Sequence, residues 1–138
     1  MKYRKVVNIM DRQQLARFKK IIQDVQVSDG GATVDKYGKP AQAFYFGSTY
    51  PQFEKVVDNS KLVTVELLQD YINHVNKVGN GLFNREDMFL GLWNDPTDNK
   101  VYIDVSQGFD NVKDVSKACK DNGQIAYFDA KKGASVRL

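Results

Sequence analysis

Leu15, Phe18, Ile22 and Val25 recur at helical spacing behind Asp11, and Gln14 stands three residues after that aspartate as its reciprocal capping partner. The pattern predicts a first helix with Arg12, Arg17, Lys19 and Lys20 on its polar side. Upstream, residues 3–9 read as a short strand. From Val27 to Gln42 the periodicity stops, and the glycines, aspartates and Pro40 of that stretch predict a loop or an irregular hairpin. Ala43 to Phe46 reads as a buried strand closed by Gly47, and Lys55 to Val57 as a second short strand.

The second half is more regular. Thr64 caps a helix with Glu66 in its first turn and Leu68, Tyr71, Ile72, Val75 and Val78 along one face, ended by Gly79-Asn80-Gly81. Met88 to Trp93 and Val101 to Ser106 form a hairpin around the turn residues Asn94 to Asn99, where Pro96 belongs. In its second strand Val101, Ile103 and Val105 alternate with Tyr102, Asp104 and Ser106. Asp110 or Asn111 caps a third helix carrying Val112, Val115 and Cys119, which Gly123 stops before a strand at Gln124 to Asp129. Strand 101–106, helix 112–122 and strand 124–129 therefore resemble a βαβ crossover, and Ser135 to Leu138 can add an edge strand. The expected architecture is α+β: three helices on a mixed sheet of four or five strands, in the order (β)αβαββαβ.

At 138 residues and 15.7 kDa the chain supports one core, so residues 1–138 are expected to form a single domain with a basic N-terminal segment and a short basic tail. A composition of 42% hydrophobic, 12% aromatic and 27% charged residues excludes disordered, collagenous and coiled-coil classes. No apolar run approaches the roughly 18 residues of a membrane span, and no secretory h-region occurs among the first thirty residues, so an intracellular protein without membrane association is expected. One cysteine, Cys119, and one histidine, His74, exclude a disulfide framework and the usual zinc constellations; neither a metal nor a cofactor is expected.

Charge divides more sharply than the net +3 suggests. Residues 1–20 carry seven basic groups against Asp11 alone, residues 21–130 are net −6, and the tail 131–138 adds Lys131, Lys132 and Arg137. The basic helix face of Arg12, Arg17, Lys19 and Lys20 is either solvated and neutralised by the chain's own acidic body, or a footprint for nucleic acid.

Phosphate-loop, dinucleotide, zincin and serine-hydrolase motifs are absent from the chain. Asp70 and His74 lie four residues apart on the second helix, where they form either a dyad or an exposed ion-pairing flank. Cys119 reads as a small core hydrophobe. Asp104 and Ser106 line either a cleft or a solvated face. The most site-like stretch is the loop 28–38, whose Gly30 and Gly31 allow close backbone approach and whose Thr33, Asp35 and Tyr37 offer side chains. Its plainer reading is two tight turns around a short strand.

The ordered strings Gly30-Gly31-Ala32-Thr33-Val34-Asp35-x-x-Gly38, Phe89-Leu90-Gly91-Leu92-Trp93, Val101-Tyr102-Ile103-Asp104-Val105-Ser106 and Asn122 to Asp129 resemble small proteins of tailed bacteriophages and mobile elements that carry no assigned activity. The resemblance spans about residues 30–129 and implies a phage accessory or virion-associated protein in the host cytoplasm or the virion. Related segments are similar to phage-borne domains grouped with barnase-, EndoU- and RelE-like nucleases, but no catalytic residue maps onto a position here. The leading expectation is a non-catalytic module that binds a protein partner or a second copy through Gly30, Gly31, Thr33, Asp35, Tyr37, Tyr50 and Phe53. The alternatives are a metal-independent, toxin-like ribonuclease using Asp70 and His74, or sequence-independent nucleic-acid binding by Arg12, Arg17, Lys19 and Lys20.

Overall fold

A computed structural model describes residues 11–138; the strand expected at residues 3–9 lies outside them. Helix α1 (Arg12–Gln26) begins where Asp11 accepts the Gln14 amide at 2.7 Å. It buries Phe18, Ile21 and Val25, so the apolar stripe is centred on Ile21, with Ile22 on its flank. The segment expected to be irregular contains strand β1 (Gly31–Val34), followed by a turn that returns to bridge Val34 to Pro40. Strand β2 (Tyr45–Ser48) starts two residues later than expected: Phe44 is exposed and Gly47 lies inside the strand. Strand β3 (Lys55–Val57) falls where the sequence places it.

Helix α2 (Val65–Val78) is capped by Thr64, whose hydroxyl accepts the Leu67 amide at 3.1 Å, and it buries Leu68, Tyr71, Ile72 and Val75; Val78 is exposed. Strands β4 (Met88–Asn94) and β5 (Val101–Phe109) form the expected hairpin, in register from Asn94 opposite Val101 to Met88 opposite Gln107. Asn111 caps helix α3 (Val112–Asp121) by accepting the Asp114 amide at 2.8 Å; the helix buries Val115 and Cys119 but leaves Val112 exposed. Strands β6 (Ala126–Asp129) and β7 (Ala134–Arg137) complete the chain.

The α+β class and the three helices agree with the sequence reading; the sheet is larger. The seven strands of the described residues join one sheet in the order β1-β4-β5-β2-β6-β7, with β3 pairing with the first residues of β5, at the opposite end of that strand from β2. Every pairing among the described residues is antiparallel. Strands β5 and β6 both run antiparallel to β2 between them, so they are parallel to each other and α3 makes the crossover that joins them. The strand residues of both core clusters fall on one face by register. Val34, Val57, Leu90, Leu92, Val101, Ile103 and Val105 pack against α1 and α2, while Tyr45, Phe109, Tyr127 and Val136 pack against α3. A Cβ on Gly47 would stand 2.5 Å from the Cys119 sulfur, so this glycine is what lets α3 lie against β2. Burial alone pushes the Cys119 thiol upward, away from the reactive thiolate.

Candidate functional site

With all three helices on one side, alternation along the strands consigns the remaining residues to a face that no described helix covers. Cross-strand register arranges them in rows. Val56 of β3, Tyr102 of β5, Trp93 of β4 and Gly31 of β1 stand opposite one another in a line across four strands. The next line is Asp104, Gly91 and Thr33. Beyond it, Ser106 stands between Ser48 and Phe89, and Phe46 between Gly108 and Phe128.

The first row is largely apolar and open at its flanks: Val56 is 44% and Trp93 41% accessible, with Tyr102 half-buried between them. Its aromatic rings are held in place. The Trp93 indole N–H donates to Asp29 at 2.8 Å, the Tyr102 hydroxyl donates to Asp98 at 2.5 Å, and the two ring centroids lie 6.4 Å apart. The bond to Asp98 is the main reason the Tyr102 hydroxyl is pushed up to about 12, and the same bond holds the Asp98 carboxyl below its usual range. Rings fixed before a partner arrives lose little further freedom on contact.

Asp104 sits behind this row. Burial first, and the Glu54 carboxylate second, push its carboxyl up to about 7. Its carboxylate lies across Gly91, where an added Cβ would stand 2.3 Å from Oδ1, and the Ser106 Cβ closes the same space at 3.5 Å. Ser106 is buried, which corrects the solvated reading of this face: two phenyl rings, Phe46 and Phe89, meet edge-on at 5.8 Å and cover its far end.

The expected contact residues separate. Gly31 and Thr33 lie on the helix-free face beside Trp93 and Gly91. Gly30 instead exchanges backbone hydrogen bonds with its surroundings, accepting from the Asn94 amide at 2.8 Å and donating to Val27. Asp35 spends one carboxylate oxygen on the amides of Tyr37 and Lys39, so the loop's polar groups close its own turn. Tyr37 is exposed beside α1, with Arg17 donating to its carbonyl at 2.9 Å and the Lys36 ammonium 5.1 Å from its ring centre. Tyr50 and Phe53 sit in the β2–β3 connection against the helical core, where the Tyr71 hydroxyl donates to the Phe53 carbonyl. The loop's contribution to the face is chiefly Asp29, which was not singled out, through its hold on Trp93.

Asp70 and His74 are both exposed and share no hydrogen bond; the His74 ring stands edge-on to Phe53 at 6.5 Å. Together with Lys55, Thr64 and Glu66 they line an open groove of about 520 Å³ between α2 and β3. On α1, Lys20 pairs with Asp24 at 3.3 Å and Arg17 is engaged with Tyr37, so half of the expected nucleic-acid set is already spent within the chain; Arg12 and Lys19 are exposed. In the tail the Lys131 and Lys132 amides donate to buried Asp129, and the Lys131 ammonium lies 4.4 Å from the Phe44 ring centre.

Trp93, Tyr102, Val56 and Asp104 are the residues the sequence reading left out of its site. The alternation of β5 already carried the signal, because it sets Tyr102, Asp104 and Ser106 on one side; the missing step was to pair Trp93 with Tyr102 across the hairpin. No group of three or more metal-ligating side chains occurs among the described residues, and no helix there is long and apolar enough to cross a membrane. No family model matches the chain, and no curated protein or solved structure matches it.

Proposed function

We propose that this chain is a non-catalytic protein-interaction module whose contact surface is the helix-free face of the sheet around Trp93 and Tyr102. The observation that carries the reading is the row Val56–Tyr102–Trp93 in cross-strand register, with Val56 and Trp93 exposed, Tyr102 half-buried between them and both aromatic rings pinned by carboxylates. Tryptophan and tyrosine with one wet end are the side chains that most often anchor protein interfaces. A phage accessory or virion-associated role is supported by the resemblance of residues 30–129, whose strings include β1 and most of β4 and β5, the strands that build this face. The nuclease alternative gains no comparable support, since Asp70 and His74 are exposed and share no hydrogen bond, and the hydroxyl of Thr64 in the same groove is engaged in capping α2.

A photo-crosslinking side chain placed at position 93 of the full chain, in cells that supply the partner, is expected to give discrete covalent adducts with protein. The same group at Val27, which is 64% accessible but lies at the end of α1, is expected to give none. Equal labelling from both positions, or none from position 93, overturns the reading.

A further inference from the structure

We infer that this face recognises a cationic side chain, an arginine or lysine of the partner, seated between the carboxylates of Asp104 and Glu54 and the rings of Trp93 and Tyr102. The inference rests on the protein-binding reading above and names the partner chemistry of that same surface.

Four features converge on a cation. The half-buried Asp104 carboxylate accepts no hydrogen bond from any described residue, so it stands as an acceptor without a donor. Glu54 lies close enough to add like-charge repulsion to that desolvation, and one positive group would relieve both. Gly91 leaves room over its own backbone for the Asp104 carboxylate, since any Cβ there would strike Oδ1, and this holds the acid in the row next to Trp93 and Tyr102. The aromatic row beside it offers ring faces that attract guanidinium and ammonium groups.

The wider charge pattern has the same sign. Asp29 and Asp98 hold the two rings, and Asp95 and Glu54 add negative charge near the Tyr102 hydroxyl, against Lys100 beside Asp98. Such a rim repels phosphate and favours a basic segment of protein over nucleic acid.

Trp93 is the chain's single tryptophan, so its emission reports this face alone. The probes are two capped tripeptides, acetyl-Gly-Arg-Gly-amide and its citrulline twin, which keeps the shape and loses the charge, each titrated into the full chain. The arginine peptide is expected to change Trp93 emission saturably and to bind at least roughly tenfold tighter than the citrulline peptide, the scale of a hydrogen bond to a charged group. Asp104→Asn, and independently the exposed Glu54→Gln, should each reduce that preference to about threefold or less.

Equal affinity for the two peptides overturns the cation inference while leaving the face a peptide-binding surface. No response to either at about 10 mM, beyond the weakest useful affinities, also overturns it, and the crosslink from position 93 then decides the underlying reading separately. A Lys2→Ser, Arg4→Ser, Lys5→Ser chain that binds the arginine peptide roughly tenfold tighter than the parent would identify the chain's own cations as occupants and so overturn assignment to a partner.

Discussion

The two faces of strand β5 are one residue apart and have opposite chemistry. Val101, Ile103 and Val105 are each fully buried against α1 and α2, whereas Tyr102, Asp104 and Ser106 point to the side that no described helix covers. On the first side these three residues belong to the apolar cluster, and their contribution to stability follows area removed from water. On the second a pinned aromatic row adjoins a carboxylate without a donor, an arrangement that adds little to folding and leaves specific groups ready to meet something else. A two-residue period is thus enough to separate what holds this molecule together from what it presents.

Ile103→Ala should break the covered face most severely. Removing a fully buried branched side chain is expected to cost about 2–5 kcal/mol, read from the midpoint of urea unfolding, and a loss under about 1 kcal/mol would mean that β5 is not the spine of the core.

The uncovered face should answer to pH instead. Asp104 is raised from the ordinary 3.8 to about 7, so between those values the folded chain keeps a proton that the unfolded chain has released. The stability it contributes is complete below about pH 3.8 and is lost as pH rises through about 7. Asp104→Asn should therefore flatten the fall in stability from pH 5 to pH 8 and exceed the parent at pH 8 by at most about 4 kcal/mol, at ~1.4 kcal/mol per pH unit of displacement. Parallel pH profiles for parent and variant would place Asp104 in open water.

The smallest effect belongs to a site on neither face. Lys20→Ala removes an exposed ion pair with Asp24 and should shift stability by less than about 0.5 kcal/mol in thermal unfolding. A larger loss would show that the basic side of α1 is structural.

Local chemistry made the helices legible. Asp11, Thr64 and an asparagine or aspartate at 110–111 each announce a start, and the stripes behind them are long enough to fix the buried side. Strand β1 was harder, because Gly31-Ala32-Thr33-Val34 is four residues with little apolar bulk and becomes a strand only through its pairing with β4. Gly47 misled for a similar reason: a glycine that reads as a terminator is required within β2 by the approach of α3, a tertiary demand invisible to local pattern. The loop 28–38 drew attention for its glycines, yet its polar groups satisfy one another, and the aromatic row was hidden in two strings that each look like ordinary core.

Asn94 ties these regions together. Its side-chain amide donates to the Val25 carbonyl at the end of α1, its backbone exchanges hydrogen bonds with Asp29 and Gly30, and it directly follows Trp93. A disturbance that begins inside the helical layer, where α1 ends, therefore has a short route, one hydrogen bond and one peptide link, to the indole on the far side of the sheet. The molecule's outward-looking ring is tied, through its neighbour in the chain and one hydrogen bond, to its own interior.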